Sequence, residues 1–387
     1  MLRLLSANWT WGRLTIVSPD GARHQLVGLQ PGHAAVLNIH DYSFAGRVLR
    51  NGDIGFAEGY LAGQWGSPDL AVLLETLGRN YDHIRRLFDG SLLMKAINRI
   101  GHRLNRNSRA GSRRNIHAHY DLGNAFYSAW LDPTMTYSAA RFERPDQALE
   151  DAQRAKYASL ARLMDLRPGH TVLEIGCGWG GFAQFAAGEV GARVTAITIS
   201  REQHDFARRR MFEAGLAEQV DIRLLDYRDV EGRFDRVASI EMLEAVGRAY
   251  WPTYFAKVHD VLKPGGSAGL QVITIQDALF DEYEARTDFI QAYVFPGGSL
   301  PSTAKLRPVA AAAGLQWGDE ERFGGDYADT LAAWARGFSA AWQDIQRLEA
   351  GFDERFRRLW LFYLAYCEAG FRSERTDVLQ LVLDKGV

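Results

Sequence analysis

The chain has 387 residues, 47% of them hydrophobic and 24% charged, with a formal net charge of −2. That length suits one large domain and one small one, in the composition of an ordinary soluble globular protein. Two cysteines, Cys177 and Cys367, argue against a disulfide framework and fit a reducing cytosol.

The first eleven residues hold no sustained apolar core and no small-residue cleavage site, so no signal peptide is expected. No apolar run approaches the ~18 residues of a membrane span, which leaves only peripheral membrane contact. From residue 12 to about 40 the pattern alternates as strands: Leu14–Val17, the turn Pro19-Asp-Gly21, then Val36–Ile39. A helix is expected to open at Ser67-Pro-Asp-Leu70, with Ser67 as cap and Pro68 at its first position. These elements predict a small α+β domain over residues 1–100.

The net charge hides an uneven distribution. Between Arg79 and Arg114 there are ten Lys/Arg and two Asp/Glu, an excess of eight positive charges. Residues 101–116 read as a basic linker. Such a run is either a solvated linker or a patch for anionic head groups or nucleic acid, at roughly 1 kcal/mol per near-surface basic residue.

From about 145 the pattern turns to helices alternating with buried strands. A helix over 146–165 precedes the strand Thr171–Ile175. There follow the strand Arg193–Ile199, the helix Arg201–Ala214 and the strand Val220–Leu225. The strand Arg236–Ile240, the helix Tyr250–Val261 and the strand Ala268–Ile275 come next, and Val378–Leu383 reads as a final strand. This order predicts a doubly wound, Rossmann-like parallel sheet, with its ligand beyond the carboxyl ends of the strands. The aromatic-rich stretch 280–375 is too long for a loop and is expected to form a helical cover over the substrate.

The run Thr171-Val-Leu-Glu-Ile-Gly-Cys-Gly-Trp-Gly-Gly181 carries the sharpest signal. A strand enters glycines that permit positive φ and close backbone approach, and a helix follows. Gly176, Gly178 and Gly181 also satisfy the G-x-G-x-x-G dinucleotide spacing, so NAD and S-adenosylmethionine both fit the turn. An NAD site places a carboxylate at the end of the second strand, where this chain reads Thr198-Ile-Ser200. Glu174 instead sits inside the first strand, where a carboxylate meets a methionine ammonium or orders the loop. Asp226-Tyr-Arg-Asp229 offers an adenine contact and a flat ring. This acidic, aromatic lining favours the cationic sulfonium donor. The plainer alternative is that Glu174 and Asp226 only cap local turns.

Several further motifs occur in a fixed order. They are His119-Tyr-Asp-Leu-Gly-Asn124, Met135-Thr-Tyr-Ser138, Leu173-Glu-Ile-Gly-Cys-Gly-Trp-Gly-Gly181 and Thr198-Ile-Ser-Arg-Glu-Gln203. Then come Asp226-Tyr-Arg-Asp229, Ser239-Ile-Glu-Met242, Phe295-Pro-Gly-Gly298 and Tyr327-Ala-Asp-Thr-Leu331. Through them the chain resembles the cyclopropane-fatty-acyl-phospholipid synthase family, related to the mycolic acid methyltransferases. The resemblance implies a methyltransferase domain over 117–387, with Tyr137 and Ser138 at the sulfonium. It places Glu174, Gly176 and Gly178 at the methionine portion, Thr198 and Gln203 at the ribose or carboxylate region, and Tyr227 and Ile240 near adenine. His119 is a candidate for the cofactor entrance, and Tyr293 and Phe295 for an acyl tunnel.

The implied chemistry is methyl transfer to a cis double bond, which leaves a carbocation beside the new methyl. Proton loss from that methyl closes a cyclopropane, and loss from a neighbouring carbon leaves a methyl-branched alkene. Ring-closing members resemble one another in a bicarbonate pocket built from a cysteine, a glutamate, a histidine and a tyrosine. The matching positions here are Ala139, Glu244, Gln271 and Tyr327. Gln271 can hydrogen-bond an anion and the Ala139 side chain cannot, and losing one donor costs about 1–3 kcal/mol. Bicarbonate is therefore doubtful as a second cofactor, and Glu241 joins Glu244, Tyr327 and Gln271 among the catalytic candidates.

The leading expectation is cyclopropane formation on an acyl chain of a membrane phospholipid, with the branched alkene as alternative and a non-catalytic lipid-binding protein more remote. No metal and no nucleic acid are expected as partners, and a homodimer is compatible with the reading. The expected location is the cytoplasm, peripherally at the inner membrane face.

Overall fold

The computed structural model describes residues 8–84 and 122–387. The basic linker and His119 lie outside the described residues. Two compact units divide the chain: the first takes residues 1–104, 281–296 and 331–375, and the second takes 105–280, 297–330 and 376–387. The expected boundary at 117 therefore does not describe the packing, because 281–296 and 331–375 cluster with the amino-terminal part.

In the first unit, strands β1 (Trp11–Val17), β2 (Arg23–Val27), β3 (Gln30–Ile39) and β4 (Trp65–Gly66) form a sheet of order β2-β1-β3-β4. Strand β1 pairs antiparallel with β2 and parallel with β3. Trp65 is fully buried, with Phe44, Phe56, Tyr60 and Phe362 around its ring. The helix expected from Ser67 begins at Leu70. Its cap is Asp69, whose carboxylate accepts from the Val72 amide at 3.0 Å, while the Ser67 hydroxyl donates to the Asp69 carbonyl. Helix Glu354–Arg372 packs against this Leu70–Ile84 helix.

The second unit holds strands β5 (Thr171–Ile175), β6 (Arg193–Thr198), β7 (Val220–Leu224), β8 (Phe234–Ile240), β9 (Leu262–Ile275), β10 (Leu315–Arg322) and β11 (Thr376–Lys385). Their order, β10-β11-β9-β8-β5-β6-β7, is that of a doubly wound sheet, parallel from β9 through β7. Strand β11 lies antiparallel to both β9 and β10. Strand β10 corrects the expectation that 280–375 is wholly helical. Its Gly318-Asp-Glu-Glu-Arg322 run is too charged to read as a strand, and charge is what an edge strand carries. Among the described residues no helix is long and apolar enough to cross a membrane.

Candidate active site

The four parallel strands β5, β6, β7 and β8 deliver Glu174, Thr198, Tyr227 and Ile240 at or just beyond their carboxyl ends. The glycine turn follows β5 and is pinned to β6, because the Gly176 and Cys177 amides both donate to the Ile197 carbonyl at 3.0 and 2.9 Å. Its glycines serve different ends. A Cβ on Gly181 would lie 2.3 Å from the Tyr157 hydroxyl, and one on Gly176 would lie 2.9 Å from Met242 Cγ. Packing excludes side chains at both. Gly178, at φ +52°, has no atom within 4 Å of the position a Cβ would take. It presents bare backbone to open space, as close approach by a ligand requires.

Glu174 sits in β5 between Ala196 of β6 and Ala238 of β8, whose small side chains leave room for its carboxyl. It is 3% exposed, and its Oε2 is buried without a hydrogen-bond partner. Burial pushes its pKa up to about 8, opposed by the charge of Lys156, the Ala183 amide and Arg210. An orphaned buried carboxylate oxygen is costly unless a cationic donor meets it. A methionine ammonium has that chemistry, so the residues fit S-adenosylmethionine.

Ser138 is held by a residue that the sequence reading missed. Lys156 is fully buried, donates to the Ser138 hydroxyl at 2.7 Å, and is lowered by burial to about 7. Gln153, one turn earlier, donates to the Ser138 carbonyl at 3.0 Å. Both fall on the apolar face of helix Leu149–Leu163, beside Ala152, Tyr157 and Leu160. Polar residues in phase with a helix's apolar stripe were the available signal. Tyr137 is half-buried, with Tyr127 and Trp130 at ring distances of 5.4 and 5.7 Å, and Trp179 joins through Tyr127 at 4.9 Å.

At the end of β6 the Thr198 hydroxyl donates to Gln203 Oε1 at 2.8 Å, which leaves the Gln203 amide nitrogen as the donor end of that side chain. Tyr227 follows β7, edge-on to Tyr254. Arg228 engages both oxygens of Asp226, at 2.8 and 2.7 Å, and so fixes its carboxylate. Ile240 ends β8, directly in register with Gln271 of β9.

Glu241 follows, and three candidate positions converge on it. Its Oε1 accepts from the Ala139 amide and from Gln271 Nε2, both at 2.8 Å, and its Oε2 accepts from the Tyr327 hydroxyl at 2.6 Å. Glu244 stands apart from this group. Its Oε1 accepts from the Ile273 amide at 2.5 Å, where β9 runs on past the end of β8. Its Oε2 is buried without a partner, and burial with the nearby Glu241 charge lifts its pKa to about 8. Both effects favour the neutral form of the Glu244 carboxyl. Of the four positions matched to the bicarbonate pocket, Ala139, Gln271 and Tyr327 thus donate to Glu241, and Glu244 bonds the Ile273 amide.

Comparison with known proteins identifies the family. The family described as mycolic acid cyclopropane synthetase matches residues 107–381. A Mycobacterium tuberculosis protein named tuberculostearic acid methyltransferase UfaA1 is 39% identical, over 98% of this chain and 90% of its own. The Escherichia coli protein named cyclopropane-fatty-acyl-phospholipid synthase is 35% identical, over 91% of this chain and 88% of its own. The crystal structure of mycolic acid cyclopropane synthase CmaA1 complexed with SAH and CTAB has a TM-score of 0.66 at 30% identity, covering 70% of this chain and 98% of that one. Fold and site together define an S-adenosylmethionine-dependent methyltransferase. The chain belongs to the cyclopropane synthase family, the branch of that class that modifies fatty acyl chains.

Proposed function

We propose that this enzyme methylates the cis double bond of an unsaturated acyl chain in a membrane phospholipid and releases a methyl-branched unsaturated chain. The carrying observation is the aromatic wall of Tyr127, Trp130, Tyr137 and Trp179 beside the bare glycine turn. Ring faces suit both a sulfonium and the carbocation that follows attack, and they keep water away from it.

When bound, S-adenosylmethionine supplies an electrophilic methyl. In this reading Glu174, Gly176 and Gly178 hold its methionine end, Thr198 and Gln203 its ribose or carboxylate region, Tyr227 and Ile240 its adenine, and Tyr137 and Ser138 its sulfonium. Lys156 acts through Ser138 as a positioning residue. Gln271 and Tyr327 orient Glu241, and Glu244 holds the Ile273 amide of β9 beside it.

The branched product gains support from the altered anion pocket, where Ala139 and Gln271 are already engaged by Glu241. The name of the Mycobacterium tuberculosis relative points the same way. Ring closure is the second reading, favoured by the name of the Escherichia coli relative, which also supports a phospholipid substrate. Peripheral contact with an anionic membrane is part of the proposal. It is supported by the basic run before residue 116 and by Val27 and Leu29, 63% and 95% exposed beside the β2–β3 turn.

Lipids from cells expressing the enzyme provide the test. Mass spectrometry should show acyl chains heavier by one CH₂. Proton NMR should show vinylic signals with a branch and no upfield cyclopropane signals. Upfield ring protons would reverse the product assignment, and an unchanged acyl profile would refute the function.

A further inference from the structure

Glu241 adopts φ +48°, a left-handed conformation that costs any residue with a Cβ. Non-glycine residues persist there only when their surroundings over-determine them, which happens chiefly at functional sites. Here the backbone amide donates to the Gln271 carbonyl at 2.8 Å, and the carboxylate is bound by residues 102, 30 and 86 positions away.

The donors also decide which oxygen can carry a proton. The Ala139 amide only donates. Gln271 presents its NH₂ to Glu241 because its own Oε1 accepts from Gln380 Nε2 at 3.1 Å. Oε1 of Glu241 therefore faces two obligate donors and stays bare. Oε2 faces only the Tyr327 hydroxyl, which can donate or accept, so that contact survives protonation. The carboxylate is half-buried and flanked by Ser138-Ala139 on one side and by Met242, against Gly176, on the other.

We infer that Glu241 Oε2 is a built-in general base that takes the proton released after methyl transfer, so that the enzyme needs no bound bicarbonate. This rests on the methyl-transfer reading above. The alkene π pair forms the new carbon–carbon bond while the carbon–sulfur pair leaves with sulfur as S-adenosylhomocysteine. A C–H bond next to the resulting cation then gives its pair to the carbon chain, and its proton goes to Oε2. No external oxidant or reductant is required.

Burial raises the Glu241 pKa, while Tyr327, Ala139, Lys156 and Gln271 hold it down. The charged groups facing it are Lys156 and, once ionised, Glu244. A base in this setting gives a rate that falls as pH drops through its pKa.

The test uses purified full-length protein, unsaturated phospholipid vesicles, S-adenosylmethionine and carbonate-free buffer. Wild-type turnover should be unchanged when carbonate is stripped or restored. Glu241→Gly should still fold, since glycine suits this φ and offsets part of the loss of three hydrogen bonds, and should turn over about 100-fold more slowly. Bicarbonate or formate should restore that variant saturably and raise its melting temperature, with neither effect on wild type. Glu241→Gln should be as slow and deaf to added anion, because its amide fills the space. A carbonate requirement in wild type, or near-wild-type turnover by either variant in carbonate-free buffer, would overturn the inference while leaving methyl transfer intact. A wild type that transfers no methyl to lipid overturns both.

Discussion

Gly178→Asp is expected to weaken S-adenosylmethionine binding about 100-fold or more while leaving the melting temperature nearly unchanged. Nothing lies within 4 Å of the new Cβ, and aspartate tolerates the left-handed region better than most residues, so the fold absorbs the change. The added carboxyl fills space that the donor needs and adds negative charge close to Glu174. Gly181→Ala is the contrast. Its methyl meets the Tyr157 hydroxyl at 2.3 Å, so it should destabilise by about 1–3 kcal/mol through overpacking. Calorimetric titration and thermal melts on the two variants separate these effects. Unchanged affinity in Gly178→Asp would remove the turn from the binding site.

The second large effect concerns Glu174 and proton linkage. Without ligand, burial holds its carboxyl near pKa 8, against an unperturbed 4.5, so at pH 7 it is mostly protonated. A bound ammonium favours the anion. Binding should therefore release a proton, and affinity should rise by up to about tenfold per pH unit from pH 6 towards 8, then fall as the ligand's own ammonium, of ordinary pKa about 8, loses its proton. The stability of the ligand-free protein runs the other way. The raised carboxyl costs progressively more as pH climbs from the unfolded value through 8. Glu174→Gln should cut affinity at pH 8 by about 100-fold and flatten the slope. Lys156 titrates in the same window, so the wild-type minus Glu174→Gln difference isolates the carboxyl. Titrations in buffers of different ionisation enthalpy count the protons released. A wild-type affinity independent of pH would contradict the assignment.

The parallel half of the sheet was legible because each buried strand is a short apolar run bounded by turn residues. Observed ends fall within a residue or two for β5, β6 and β7. Strand β10 was not legible, since pairing with β11 on one side alone makes it a strand and its own residues are charged. The grouping of 331–375 with the amino-terminal unit was equally hidden, because an amphipathic helix does not name the surface it covers.

Within the site, the glycine turn and Glu174 could be read from local spacing. Glu241 and Glu244 could both be named as candidates, and the pattern put Glu244 first. Only the fold brings the Ala139 amide, Gln271 and Tyr327 to one of them, and a backbone amide leaves no trace in a residue pattern.

The most direct measurement incubates the purified protein with unsaturated phospholipid vesicles and S-adenosylmethionine labelled in its methyl group. Label should enter the acyl fraction in step with release of S-adenosylhomocysteine, and vesicles of fully saturated lipid should take up none. An unlabelled lipid fraction under conditions where the cofactor binds would contradict the assignment of this chain to acyl-chain methylation.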